Sequence, residues 1–141
     1  MSHSAFDRIF AAVATIAVAA GAVAGFWVLG TPGQQRLIMS DRQRLEDLSA
    51  IANTLYWQRQ DQDEDYALPE ELDTNDQRQD PITQEPYAYS RLDDSRYQLC
   101  ANFVTDSGTH KLVNTPNQSW QHPQGSHCFE LDITQQPPSL Y

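Results

Sequence analysis

Twenty-one consecutive residues without a charge, Ile9 to Leu29 (IFAAVATIAVAAGAVAGFWVL), constrain this chain more than any other stretch. A helix needs roughly 20 apolar residues to cross a bilayer core of about 30 Å, so this segment is expected to span a membrane. The rest of the chain, beyond Leu29, is polar, acidic and rich in turn residues. The expected layout is a short tail at 1–8, a transmembrane helix at 9–29, one extramembrane domain at 30–133 and a flexible tail at 134–141.

Charge and cysteines together set the expected orientation. The N-terminal tail holds only Asp7 and Arg8, whereas Arg36, Arg42 and Arg44 come after the apolar run. That cluster alone argues for a cytoplasmic C-terminal part, but long segments are translocated largely regardless of charge. The only two cysteines, Cys100 and Cys128, both lie in the long segment, and a pair suits a disulfide in an oxidising compartment. The expectation is a single-pass protein with a cytoplasmic N-terminus and a periplasm-like location for the domain. A rival reading is a cleaved signal peptide, with Ala22-Val23-Ala24 as the small-residue site. The apolar run continuing through Phe26-Trp27-Val28-Leu29 and a single Arg ahead of it weigh against cleavage.

Inside the apolar segment, Ala17, Gly21 and Gly25 recur every four residues, which puts small side chains in one groove where another helix can approach closely. Trp27 near one end suits an interfacial aromatic. The expected partners are the lipid bilayer and a membrane-protein complex reached through the helix. Net charge is -10, and Asp7 and Arg8 cancel, so all of it lies outside the membrane segment. Such a surface repels nucleic acid, which is not an expected partner.

Past the bilayer, Thr31-Pro32-Gly33 interrupts the helical pattern. From Gln34 it resumes: Ile38, Leu45 and Ala52 are spaced by sevens, Leu48 and Leu55 likewise, and Leu37 and Ile51 widen the stripe. This predicts an amphipathic helix of about 25 residues ending near Gln60. Asp41 to Arg44 and Asp47 fall on its polar side and are expected to be solvated, while the apolar stripe is expected to pack on the domain's own sheet.

Asp61, Asp63 and Asp65 alternate after the helix, a pattern that draws hard cations such as calcium, although Tyr66 and Leu72 stand where an EF-hand needs Gly and Glu. No other cofactor is expected. Leu68-Pro69-Glu70-Glu71-Leu72 reads as one helical turn. Tyr97, Leu99, Ala101 and Phe103 share one face at the strand period of two, and Phe129, Leu131 and Ile133 do the same. Cys100 and Cys128 then fall on the opposite face, able to bridge neighbouring strands. Lys111 to Val113 is a further short strand candidate, and Tyr56, Trp57, Tyr66, Tyr87 and Tyr89 are expected to serve packing. The expected fold class is α+β: an N-terminal transmembrane helix, then an amphipathic helix packed on a small antiparallel sheet.

This order resembles a family. An apolar helix, an amphipathic helix, LPEEL, then Asp80-Pro81-Ile82-Thr83-Gln84-Glu85-Pro86-Tyr87-Ala88-Tyr89 and two late strands is similar to the type IV pilin and type II secretion pseudopilin class. The resemblance covers residues 34 to 133 and implies a pilin-like fold on a bacterial inner membrane, with the DP-to-YxY segment entering the sheet. The prepilin-peptidase site of that class is absent: Gly25-Phe26 lies at the far end of the apolar segment, and Gly30 stands where its Glu belongs. The implication is a pilin-like domain on a permanent anchor.

Catalytic motifs are not evident: there is no phosphate-cradling glycine loop, Walker-type lysine or Ser/His/Asp order. His122, His127 and Cys128, with His110 and Cys100, offer the best metal-ligand types, but their spacing matches no standard zinc site and ligation would forgo the disulfide. These histidines are expected on an ordered surface loop. The functional expectation is a non-catalytic accessory or structural subunit of a membrane complex; alternatives are a pseudopilin-related component and a cation- or ligand-binding module.

Overall fold

A computed structural model of the chain describes residues 3–29, 31–62, 66–73, 76–109 and 116–140. The chain divides into two compact units, Met1–Arg36 and Leu37–Tyr141. The first contains helix α1, His3–Leu29. Its stretch Phe6–Gly25 is long and apolar enough to cross a membrane, and none of it is buried. The one hydroxyl in that stretch, on Thr15, donates to the Ala11 carbonyl at 2.8 Å, which satisfies it within the helix.

Helix α2, Pro32–Asp61, begins on a capping box. The Gln34 N–H donates to the Thr31 hydroxyl and the Thr31 N–H donates to the Gln34 side-chain oxygen, both at 3.3 Å. Pro32 occupies the first helical position, where its missing N–H costs nothing. Thus the Thr31-Pro32-Gly33 interruption is a new helix start, and α2 opens two residues earlier than the periodicity predicts.

In the second unit, three strands form an antiparallel sheet in the order β1-β2-β3: Ala88–Arg91, Arg96–Phe103 and Gly125–Asp132. The β1–β2 hairpin is closed at Asp93, whose Oδ1 accepts from the N–H groups of Ser95 and Arg96 at 2.9 and 2.8 Å. Strands β2 and β3 pair along eight residues, from Arg96↔Asp132 to Phe103↔Gly125. Two 3₁₀ turns, Ser107–Thr109 and Gln118–Trp120, lie in the connection between them.

One core joins helix and sheet. Leu45, Leu48, Ile51, Ala52 and Leu55 of α2 pack in a single cluster with Tyr97, Leu99, Phe103, Phe129, Trp120 and Ile133. Leu68 and Leu72 are buried in it as well, although the stretch between them forms a bend and not the expected helical turn. The stripe stops short at its N-terminal end, where Leu37 is exposed.

Further expectations change. Asp41, Arg44 and Asp47 are not a solvated face: all three are buried, because a paired acid and base can enter an interior that excludes lone charges. His122 is buried rather than on the surface, its ring stacked on Phe103 at 3.7 Å between centroids. The tail is docked rather than frayed: Pro138 accepts from the Trp120 indole N–H at 2.9 Å, and Leu140 accepts from the Asn117 N–H at 2.7 Å. The strand candidate at Lys111 to Val113 lies outside the described residues.

Candidate functional site

Asp41 and Arg44 sit one turn apart on α2, so their side chains meet on one helix face. Arg44 Nη1 donates to Asp41 Oδ1 at 2.6 Å. From the other side Asp80 receives the guanidinium fork, with Nε donating to Oδ2 at 2.5 Å and Nη2 to Oδ1 at 3.1 Å. The planar fork matches a carboxylate with two parallel bonds, which an ammonium does not.

Each carboxylate also satisfies backbone donors. Asp41 accepts from the N–H groups of Val104 and Thr105 at 2.9 and 2.7 Å and from the Thr105 hydroxyl at 2.7 Å, which ties the end of β2 to α2. Asp80 accepts from the N–H groups of Ile82 and Thr83 at 2.8 and 3.0 Å, closing the turn that Pro81 starts. In that turn Gln84 has a φ of 60° and donates its N–H to the Asp80 carbonyl at 2.9 Å. Burial by itself raises the Asp80 carboxyl, but the Arg44 bonds and charge and the N–H groups of Thr83 and Ile82 outweigh it and hold it at about 2.

A turn further along α2, Asp47 accepts from the Tyr87 hydroxyl and Arg78 Nη1, both at 3.1 Å. Burial first, then the Asp47 charge, pushes the Tyr87 hydroxyl up. The segment 78–87 is therefore fastened to α2 at one base, Arg44, and one acid, Asp47. Among the described residues, no buried side-chain nitrogen or oxygen lacks a hydrogen-bond partner. A polar cluster so fully satisfied is a fastening device rather than a group waiting for a ligand.

Beside it runs a groove of about 390 Å³, bordered by Ile82, Pro86, Ala88, Cys100, Asn102 and Ser126. Cys100 and Cys128 stand opposite one another in the β2–β3 register and are joined as a disulfide. They lie on the sheet face turned away from the core, Cys100 half-buried and Cys128 exposed.

Other candidate groups separate. Ala17 and Gly21 are exposed and Gly25 is half-buried; a Cβ added at either glycine meets nothing within 4 Å. Asp61 ends α2 on the surface, while Asp63 and Asp65 lie outside the described residues. No group of three His, Cys, Asp or Glu side chains suited to a metal occurs among the described residues. Cys128 is held in the disulfide, His127 meets the edge of Phe129, and His122 Nδ1 lies 3.2 Å from the Pro123 carbonyl; His110 is outside the described residues. Ser107 lies beside His122, but its hydroxyl donates to the His122 carbonyl at 3.1 Å and accepts the His122 N–H at 2.9 Å, so the imidazole is not placed to deprotonate it.

The Arg44–Asp80 pair escapes sequence reasoning because its members are 36 positions apart. Its one visible signal is Asp80-Pro81 itself, an acid placed where a turn offers backbone donors. Compared with protein-family models, with curated proteins and with solved structures, the chain matches none.

Proposed function

We propose that this chain is a single-pass membrane protein whose pilin-like α+β domain sits outside the cytoplasm, and that it serves as a non-catalytic accessory or structural subunit of a membrane-protein complex. The observation that carries this reading is α1: a 20-residue apolar stretch with no buried residue. An apolar helix with nothing over it needs lipid or protein around it. The open space above Gly21 and Gly25 supports a neighbouring helix as part of that cover. The disulfide supports an oxidising side for the domain.

Gentle extraction of the full-length protein from its native membrane, with mass spectrometry of the recovered material, tests this. The expected result is one defined complex recovered with the intact chain and lost in Gly21→Leu. Recovery of the chain alone in both preparations overturns the subunit role, and a mature mass lacking the first 24 residues overturns the anchor.

One observation favours a second reading, a pseudopilin-related component of a secretion or pilus apparatus. The Asp80-Pro81 turn leads through Pro86 and Tyr87 into β1, and the sheet shares its core with a long helix. Cross-linking from Gly21 to secretion-system subunits, rather than to an unrelated complex, distinguishes the two.

A further inference from the structure

We infer that Cys100–Cys128 is a reversibly reducible disulfide, a site of thiol–disulfide exchange with a dithiol protein, which opens and closes without unfolding the domain. Two independent features carry this: the bond is open to attack, and the strands it joins are held by other means.

Access comes from the sheet's alternation. Side chains at successive strand positions point to opposite faces, and Leu99, Ala101 and Phe129, the neighbours of the two cysteines, all point into the core. The cysteines therefore stand on the outer face, with Cys128 exposed. Two of their neighbours on that face are small, Ala88 opposite Cys100 on β1 and Ser126 two positions before Cys128, while Gln98, Asn102 and Glu130 complete the surround. The groove of about 390 Å³ reaches Cys100 and gives a protein segment room beside the bond. The nearby Glu130 carboxylate, which by itself repels an approaching thiolate, is paired with Arg96 at 2.8 Å.

Independence comes from register. The two strands pair over eight residues, and on the other face the core cluster fixes Leu99 opposite Phe129. At the end of β2, Asp41 holds Val104 and Thr105. Removing one sulfur–sulfur bond deletes none of these contacts.

In the exchange, a thiolate of the dithiol partner attacks the sulfur of Cys128, the more exposed of the two residues. A new sulfur–sulfur bond forms to the partner, the bond to Cys100 breaks, and Cys100 leaves as a thiolate that takes up a proton from water. The partner's second thiolate then attacks its own sulfur in the mixed disulfide and releases Cys128. Two electrons pass to this chain, and the partner ends as a disulfide. Exposed disulfides are the labile and regulatory ones, whereas buried structural disulfides resist reduction.

The test is reduction of the full-length protein in detergent micelles by dithiothreitol, with near-ultraviolet circular dichroism recorded alongside. The expected rate rises in proportion to dithiothreitol and changes by less than about twofold across sub-denaturing urea, because no surface opens before attack. The dichroism of the packed aromatics is retained throughout, and glutathione disulfide restores the bond. A rate that saturates with dithiothreitol, or that climbs steeply with urea, means attack needs local unfolding and overturns the proposal. Loss of the aromatic signal on reduction overturns it too. The Cys100→Ala/Cys128→Ala double variant gives a second reading: a folded variant at 25 °C supports it, and an unfolded one shows the bond to be indispensable and sinks it.

Discussion

Arg44 and Asp80 meet as a two-bond ion pair across 36 positions of sequence, both residues buried. Through this contact a turn in the middle of the chain is attached to the helix that the sheet packs with. Breaking it from the Arg44 side leaves Asp41 and Asp80 buried without the cation they share. Arg44→Leu is therefore expected to cost about 3–5 kcal/mol of domain stability. Arg44→Lys is expected to recover only part, since an ammonium cannot serve both carboxylates with the same geometry. Urea unfolding monitored by aromatic dichroism measures both; a midpoint within error of the parent chain in Arg44→Leu refutes the role given to the pair.

Asp80 sets an acid limit on the fold. Its carboxyl is held at about 2 in the folded chain, against 3.8 ordinarily, so the unfolded chain takes up the proton first as pH falls. The stabilisation is complete above about pH 4 and is lost on the way down to about 2. Asp80→Asn is expected to have a lower urea midpoint at pH 7 and a shallower decline between pH 4 and 2. Parallel pH profiles for the two proteins count against this.

His122 acts over a different range. Burial, partly opposed by the Pro123 carbonyl, depresses its imidazole below the usual 6.5, so the folded domain holds it neutral. Stability is expected to be full above about pH 6.5 and to weaken as pH falls below it, because protonation favours the unfolded chain. In His122→Phe, which preserves a ring on Phe103, the loss that sets in below about pH 6.5 is expected to vanish. A decline of the same size in the variant assigns that range to other groups.

Trp120 depends on the C-terminal segment. Ending the chain at Thr134 removes the Pro138 carbonyl from the buried indole N–H and the Leu140 carbonyl from Asn117. An unpaired buried donor costs about 1–3 kcal/mol, and the truncated chain is expected to lose at least that much in urea unfolding. Unchanged stability returns the segment to the status of a loose end.

The contrast between what could and could not be read along the chain is physical. Periodicity is local, so the apolar helix, the core stripe from Leu45 to Leu55 and the alternating runs at Tyr97–Phe103 and Phe129–Ile133 were legible. The two cysteines fell opposite one another because alternation put both on the outer face. Charges are not legible, for the converse reason. A carboxylate at position 41 looks solvated until a guanidinium and three donors are known to surround it, and these groups come from residues 44, 104 and 105. His122 and the Pro137-Pro138 tail carried polar or turn-like composition, and nothing near them in sequence announced Phe103 or Trp120 as their contacts.

The docking of residues 138–140 also orders events during synthesis. A ribosome makes about 5–20 residues each second, so the apolar side of α2 exists for several seconds before Phe129, Ile133 and the segment that covers Trp120. The domain cannot mature stepwise behind the growing chain; it must wait, open, for its final strand. Slowing synthesis beyond Phe103 is expected to lengthen that interval.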